Sequence, residues 1–203
     1  MEAKVRQPRE SSRDRRSRET RQALLDAAYA LFCEHGYAGT SLDRIAEQAG
    51  YTKGAVYPHF ASKEELFLAL MESKAASLTA RWTDAEPDDA PKSMGEWLSQ
   101  AMSERREWFL VSAEFTVLAA RKPTLAERHR ASITQVCDEL AAQLREIGGD
   151  ITESDAATLS RVVMAMMNGL VLHAAIDPGL DLAADFDFGL HRLAGIPAGP
   201  RKG

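Results

Sequence analysis

The stretch Gly50–Phe60, GYTKGAVYPHF, decides how the first third of the chain folds. Gly50 breaks the segment before it, and Thr52 is a residue type that caps helices. Val56 and Phe60 are spaced i, i+4, so both side chains can face inward. We predict a short helix that ends at about Phe60, limited to about two turns because Pro58 lacks the N–H that a longer helix needs.

The segments around this stretch are also helical in pattern. A first helix has one apolar face and is ended by Gly36; its face consists of Leu24, Ala27, Ala28, Leu31 and Phe32. A second short helix is capped by Thr40 or Ser41, and its apolar face consists of Leu42, Ile45, Ala46 and Ala49. Ser62 and Glu65 have the spacing of a capping box, which opens a fourth helix through about Trp82.

Two short helices joined by a tight, glycine-containing turn form a helix-turn-helix pattern. In such a unit the second helix enters the major groove of DNA and the first crosses the backbone. Gly54 and Ala55 are small enough to allow close approach, and an alanine methyl can contact a thymine methyl. Thr52 also faces outward. Phosphates can be contacted by Lys53, Tyr57, His59 and Lys63, and by Thr40 or Ser41 from the start of the preceding helix.

The charge distribution agrees with contact between one end of the chain and a polyanion. The net charge is −5, yet residues 1–63 hold 11 Lys and Arg against 8 Asp and Glu. Residues 64–203 therefore hold 14 against 22. We expect residues 1–19 to be a basic flexible arm that reaches phosphates or the minor groove. The best candidates for these contacts are Arg15, Arg16, Arg18 and, just beyond the arm, Arg21. A disordered tail that only aids solubility remains the alternative.

The stretch Thr20–Leu70 resembles the DNA-binding domain of TetR-family transcriptional regulators. The shared elements are Phe-x-x-x-Gly-Tyr, Thr-Ser-Leu-x-x-Ile-Ala, Ala-Gly, and Lys-Gly-Ala-Val-Tyr-x-His-Phe-x-Ser-Lys-Glu-Glu-Leu, and they cover about a quarter of the chain. One departure is Tyr51, where the family more often has an aliphatic residue. The resemblance implies a homodimeric, ligand-responsive regulator, usually a repressor, that binds a palindromic operator.

The resemblance also implies a set of DNA contacts, of which Val56 is the member that the spacing argument turns inward instead. The implied contacts are Thr40, Ser41, Thr52, Lys53, Ala55, Val56, Tyr57, His59 and Lys63. We expect an all-α protein with a helix-turn-helix domain over 20–66 and a larger helical domain for ligand binding and dimerisation over 67–203.

The rest of the chain has helical periodicity but no motif of its own. Helices are predicted over about 92–103, 105–120, 124–147, 153–176 and 183–194. The helix over 153–176 is apolar nearly all round, so both of its sides must be covered, one of them by a partner. We predict a two-fold dimer through the last two helices, with an interface of Leu159, Val163, Met166, Leu170, His173, Phe186, Leu190 and Leu193.

A ligand pocket is expected from the resemblance, within the segments that enclose the pocket of the family. Aromatic and methionine side chains can line an adaptable apolar cavity, although at helical spacing they are more often plain core. The candidates are Trp82, Trp97, Met102, Trp108, Phe109, Phe115 and Asn168.

Other classes of function receive no positive signal from the sequence. No stretch approaches eighteen consecutive apolar residues, no secretory signal is evident, and we expect a cytoplasmic protein without membrane contact. The five histidines lack metal-binding spacing, and phosphate-binding and nucleophile motifs are absent, so we expect neither an enzyme nor a cofactor. Two alternatives stay open: a thiol redox sensor using Cys33 or Cys137, and a helical interaction module without DNA binding.

Overall fold

The computed structural model describes residues 11–83, 93–147 and 151–194, with side chains except those of 76–83, 146, 147 and 194. Over these ranges every regular element is a helix and there is no strand, as the sequence predicts. Two compact units divide at Leu70 and Met71. The elements are α1 (Ser12–His35), α2 (Leu42–Gln48), a 3-10 turn (Lys53–Ala55), α3 (Lys63–Thr83), α4 (Met94–Ala120), α5 (Pro123–Ile147), α6 (Glu153–Ile176) and α7 (Leu182–Ala194).

Helix α1 begins eight residues earlier than the domain boundary predicted at residue 20. The hydroxyl of Ser11 caps it by accepting the Asp14 N–H at 3.1 Å, and a carboxylate in the first turn suits the positive end of the helix dipole. Residues 12–19 are therefore two helical turns rather than the flexible arm we expected. Residues 1–10 of that arm lie outside the described part.

The core of the first unit forms where α1, α2 and the start of α3 meet. Gly36 ends α1 at φ 70°, and its N–H donates to the Phe32 carbonyl at 2.9 Å. Phe32 packs against Tyr37 and edge-on against Phe67, with ring centroids 5.6 and 4.9 Å apart. This aromatic cluster joins the end of α1 to the start of α3.

The predicted two-turn helix after Gly50 is shorter than expected. Only Lys53–Ala55 is helical, and it is a 3-10 turn. The Ala55 N–H donates to the Thr52 carbonyl at 2.9 Å, and a further turn closes through the Phe60 N–H to the Val56 carbonyl, also at 2.9 Å. Since Pro58 has no N–H to give to the Gly54 carbonyl, a continuous α-helix cannot run through this segment.

The second unit is a helical bundle in which α4, α5, α6 and α7 pack on one another. The two helices predicted over 92–103 and 105–120 are one helix with a kink at Arg105, whose φ and ψ are −135° and 27°. Leu98, Met102, Val163, Val171, Leu182 and Phe186 form its buried core. The starts of α4 and α7 approach closely, because Gly95 has no side chain and its N–H donates to the Asp187 carboxylate at 2.9 Å.

Candidate DNA-reading surface and ligand cavity

The helix-turn-helix presents a polar surface built by α2 and the 3-10 turn. Five polar side chains on it are exposed: Ser41, Arg44, Thr52, Lys53 and Tyr57. Ala55 and His59 are half-buried among them. Ser41 also caps α2, since its hydroxyl accepts the Arg44 N–H at 3.3 Å. We call this set the reading surface.

The family resemblance implies that Val56 contacts DNA, but its side chain is buried. Its side chain is 0% exposed and that of Phe60 is 2% exposed. The pair anchors the turn to the core of the first unit, as the i, i+4 spacing predicts, and leaves the opposite side of the turn outward.

Thr40 is also a core residue, although it was predicted to contact phosphate. Its side chain is 3% exposed. The hydroxyl lies 3.1 Å from the Leu31 carbonyl and 3.0 Å from the Gly36 carbonyl, to which it donates. It ties the end of α1 to the start of α2, and its neighbour Ser41 keeps the exposed hydroxyl.

Lys63 is half-buried, and its ammonium group makes its contacts within the first unit. It donates to the carbonyls of Tyr37 and Thr40, both at 2.8 Å, and lies 4.3 Å from the centroid of the Tyr37 ring. The predicted phosphate donor is thus a clamp across the end of α1. Burial, followed by the nearby Glu64 carboxylate, raises the pKa of Tyr37 above its ordinary value, so the ring under the ammonium stays neutral.

Lys53 keeps its charge at the surface, but with a partner. Its ammonium lies 2.7 Å from the Asp43 carboxylate, and the two side chains are 60% and 57% exposed. The hydrogen bond to Asp43 raises the pKa of Lys53. An exposed pair of this kind is weak, so the lysine can exchange its carboxylate for a phosphate at small cost.

Arg44 is a residue that our sequence reasoning missed. Its guanidinium donates to the Gly39 carbonyl at 3.1 Å, which holds it beside Ser41 at the start of α2. The signal was present in the sequence: Arg44 is a cation directly before Ile45, on the polar side of a helix predicted to cross the DNA backbone.

The arginines predicted as DNA contacts of the arm are all exposed on α1: Arg15, Arg16, Arg18 and Arg21. The Arg21 guanidinium lies 5.1 Å from the centroid of the Phe60 ring. It therefore packs next to the reading surface instead of belonging to a flexible segment.

The second unit encloses an apolar cavity of about 420 Å³. Of the predicted ligand contacts, four line it: Trp97, Trp108, Phe109 and Asn168. Met102 and Phe115 do not line it and are buried in the bundle instead. The side chain of Trp82 lies outside the described part. The wall from α5 was not predicted; it consists of His129, Ser132, Ile133, Val136, Glu139, Leu140 and Gln143.

His129 is the buried polar side chain in this wall, with 4% of its surface exposed. The hydroxyl of Thr116 donates to the Ser112 carbonyl at 3.0 Å, so its oxygen is left to accept from His129 Nε2, also 3.0 Å away. This arrangement assigns the proton to Nε2 and leaves a lone pair on Nδ1, which is buried and without a partner among the described residues. Burial lowers the pKa of His129, which keeps the imidazole neutral.

Most of the residues predicted for the dimer interface pack inside the second unit. Val163 and Phe186 are buried within the unit, and Leu159, Met166, Leu170 and Leu190 pack partly against the same core. His173 and Leu193 are exposed. The open side of α6 is a second apolar stripe, which we call the outer face: Val162, Ala165, Gly169, Leu172 and Ile176.

Both stripes of α6 are apolar, so periodicity alone could not tell them apart. Ile176 is 83% exposed, and a methyl group added at Gly169 would meet open space. By length and composition α6 could also cross a membrane, since a stretch of 18 of its residues has a mean hydropathy of 1.5.

The cysteines do not form a reactive pair of thiols. Cys33 is half-buried on α1 and Cys137 is buried on α5, and neither is in a disulfide. Burial raises the pKa of the Cys137 thiol, which is the opposite of what a reactive thiolate requires. Within the described ranges, no group of three His, Cys, Asp or Glu residues could hold a metal ion.

Comparisons with known proteins agree with this geometry. Residues 24–70 match the model of bacterial regulatory proteins of the tetR family, and residues 87–186 match that of the BetI-type transcriptional repressor C-terminal domain. The transcriptional repressor AcnR of Corynebacterium diphtheriae is 32% identical over 108 residues, which span 53% of this chain but only 54% of that protein. The regulator TtgR of Pseudomonas putida is 29% identical over 90% of this chain and 95% of its own.

The fold is shared with solved regulators as well. The crystal structure of a transcriptional regulator from Rhodococcus sp. Rha1 superposes with a TM-score of 0.61 at 29% identity, covering 85% of this chain and 96% of its own. The matched models and relatives are transcriptional regulators and not enzymes. The helix-turn-helix, the helical second unit and both family matches together place the chain in the TetR family of bacterial transcriptional regulators.

Proposed function

We propose that this protein is a cytoplasmic repressor that binds a palindromic operator as a homodimer and releases it when a small, largely apolar ligand binds. The observation that carries the proposal is the division of the helix-turn-helix into two sides. Val56 and Phe60 are buried, while Thr52, Lys53 and Tyr57 are exposed around a glycine-containing turn.

The chemistry of the reading surface suits duplex DNA. Gly54 is exposed and open, so the backbone of the turn can come close to base edges. Lys53, Tyr57 and Arg44 offer donors to the phosphates on either side. Contacts to phosphate fix the position of the turn, and the turn itself reads the bases.

The outer face of α6 supports a homodimer. A helix whose open side carries Val162, Leu172 and Ile176 exposes apolar surface that a second copy would cover. Ala165 and Gly169 are small and on the same face, which lets a facing helix approach closely. Two-fold symmetry would then match two reading surfaces to two half-sites of a palindrome.

The cavity supports a ligand of mainly apolar character. A volume of about 420 Å³ suits a small organic molecule, and its aromatic and aliphatic wall offers few charges. Asn168 and the imidazole of His129 can orient polar groups of the ligand. Binding would shift the dimer toward a state in which its two reading surfaces no longer match the operator.

Selection of bound sequences from random duplex DNA, repeated at two salt concentrations, tests the proposal. We expect enrichment of one palindrome, with occupancy that falls steeply as salt rises because phosphate contacts release counterions. Sequence-independent binding, or no binding at either salt, would refute a specific operator.

A further inference from the structure

The first two turns of α1 carry an arginine cluster that the reading surface does not include. Arg13 and Arg16 are exposed there, and among the described residues neither guanidinium has an ion-pair partner. The acidic residues of the same turns are already engaged. Asp14 accepts from the Ser11 hydroxyl at 2.7 Å, and Glu19 pairs with Arg15 at 3.7 Å.

These arginines line a groove that continues the reading surface. Positions 13, 16, 17 and 20 share one face of a helix, since they are three or four residues apart. We call the segment from Thr52 to Phe60 the recognition turn. The groove lies between this face of α1 and Pro58 and His59 at the end of that turn. Its lining residues are Ser12, Arg13, Arg15, Arg16, Ser17, Glu19, Thr20, Pro58 and His59.

A groove with cationic side chains on a rigid wall fits an extended polyanion better than a small ligand. The wall is a continuous helix anchored by buried Leu24, Leu25 and Ala28 farther along α1. His59 and Pro58 belong to the segment that also carries Tyr57, so whatever occupies the groove lies next to the bound duplex.

We propose that this groove binds the sugar-phosphate backbone of the operator outside the bases that the recognition turn reads, with Arg13 and Arg16 as phosphate donors. The inference rests on the proposed operator binding. It adds that the arginines act from a formed helix, so the contact has a defined place on the DNA. Each half-site is therefore longer than the reach of the recognition turn.

The first test compares the double variant Arg13→Ala/Arg16→Ala with wild type on the selected operator. Each phosphate contact contributes about 0.9 to the slope of log affinity against log salt, so the loss of two contacts in each protomer of the dimer, four in all, should reduce the slope by about 3.6. Hydroxyl-radical footprints should shrink at the outer edges of both half-sites and stay unchanged at their centres.

The matched control removes two arginines from exposed positions in the second unit, Arg121→Ala/Arg128→Ala. It changes the net charge equally and should leave slope and footprint as in wild type. An unchanged slope and footprint in Arg13→Ala/Arg16→Ala would overturn the inference while leaving operator binding intact. A wild-type protein that selects no operator would instead refute the proposed function.

A second variant, Ser17→Pro, keeps every charge and breaks the helix. Proline at an interior position removes the bond to residue 13 and clashes with its carbonyl, while Leu24 and the core beyond it are untouched. If the formed groove is needed, Ser17→Pro loses the same outer footprint as the arginine variant. If only the arginine variant loses it, the contact belongs to a flexible cationic tail and the groove is refuted.

Discussion

At the scale of single residues, Lys53 and Lys63 are two lysines on one domain with opposite roles. Lys63→Met removes two hydrogen bonds from a charged donor and leaves the Tyr37 and Thr40 carbonyls short of a partner. We expect the free energy of unfolding to fall by about 2 kcal/mol, measured by urea denaturation.

Lys53→Met is the control for that variant. Lys53 is exposed and its pair with Asp43 is open to solvent, so the loss of stability should stay below about 0.5 kcal/mol. Its operator affinity should nevertheless fall. Equal destabilisation by the two variants would contradict the clamp that we assign to Lys63.

His129 gives the second unit a dependence on pH. Its pKa is lowered by burial, so below about pH 6.5 the unfolded chain binds more protons than the folded one. The stability that neutral His129 contributes is therefore lost as pH falls through that value. We expect His129→Gln to lose less stability than wild type between pH 7.5 and 5.5, by urea midpoints.

The exposed His173 provides the comparison. His173→Gln makes the same exchange at an exposed position and controls for the substitution itself. Parallel curves for wild type and His129→Gln would show that the buried imidazole has no part in the pH dependence.

At the scale of elements, the outer face of α6 is open to a direct test. Ala165→Glu places a charge in the centre of that face, where a second copy would have to bury it. We expect the dimer to dissociate in sedimentation velocity without loss of helix content. The control Ala142→Glu makes the same exchange at an exposed position of α5 and should stay dimeric.

A protein that remains dimeric with Ala165→Glu would place the interface elsewhere. A protein that sediments with membranes and is recovered only in detergent would instead indicate that α6 is a membrane segment. Both outcomes would contradict the outer face as a dimer surface.

Sequence periodicity predicted most helices correctly. It failed where two faces of one helix have the same apolar spacing. The bounds of α6 agree with the prediction, because Thr152 caps one end and the apolar run ends at Ile176. The choice between its two apolar stripes depended on packing with α4 and α7, which spacing along one helix does not contain. Thr40 and Lys63 were misassigned for a similar reason, since carbonyls 4 to 26 residues away receive their hydrogen bonds.

At the scale of the whole molecule, the cavity should couple ligand binding to stability. A ligand at 100 times its dissociation constant adds about 2.7 kcal/mol to the free energy of unfolding. A thermal-shift screen of small apolar compounds should find such ligands. Ala113→Phe, which fills space at the cavity wall, should abolish the shift and keep operator binding.

Ala120→Phe on the same helix is the control, since Ala120 is exposed and outside the cavity wall. It should retain the thermal shift of wild type. A ligand that stabilises Ala113→Phe as strongly as wild type binds at another place, and the cavity would then not be its site.

The contrast between the two lysines has a further practical consequence for chemical labelling. An amine-reactive reagent attacks the neutral amine that an accessible lysine forms on losing a proton, so the exposed Lys53 should be acylated far faster than Lys63, whose nitrogen donates to two carbonyls. When an operator covers the turn, acylation of Lys53 should slow while that of Lys63 stays constant. Mass spectrometry of one digest would then measure DNA occupancy against a reference lysine that lies ten residues away in the same chain.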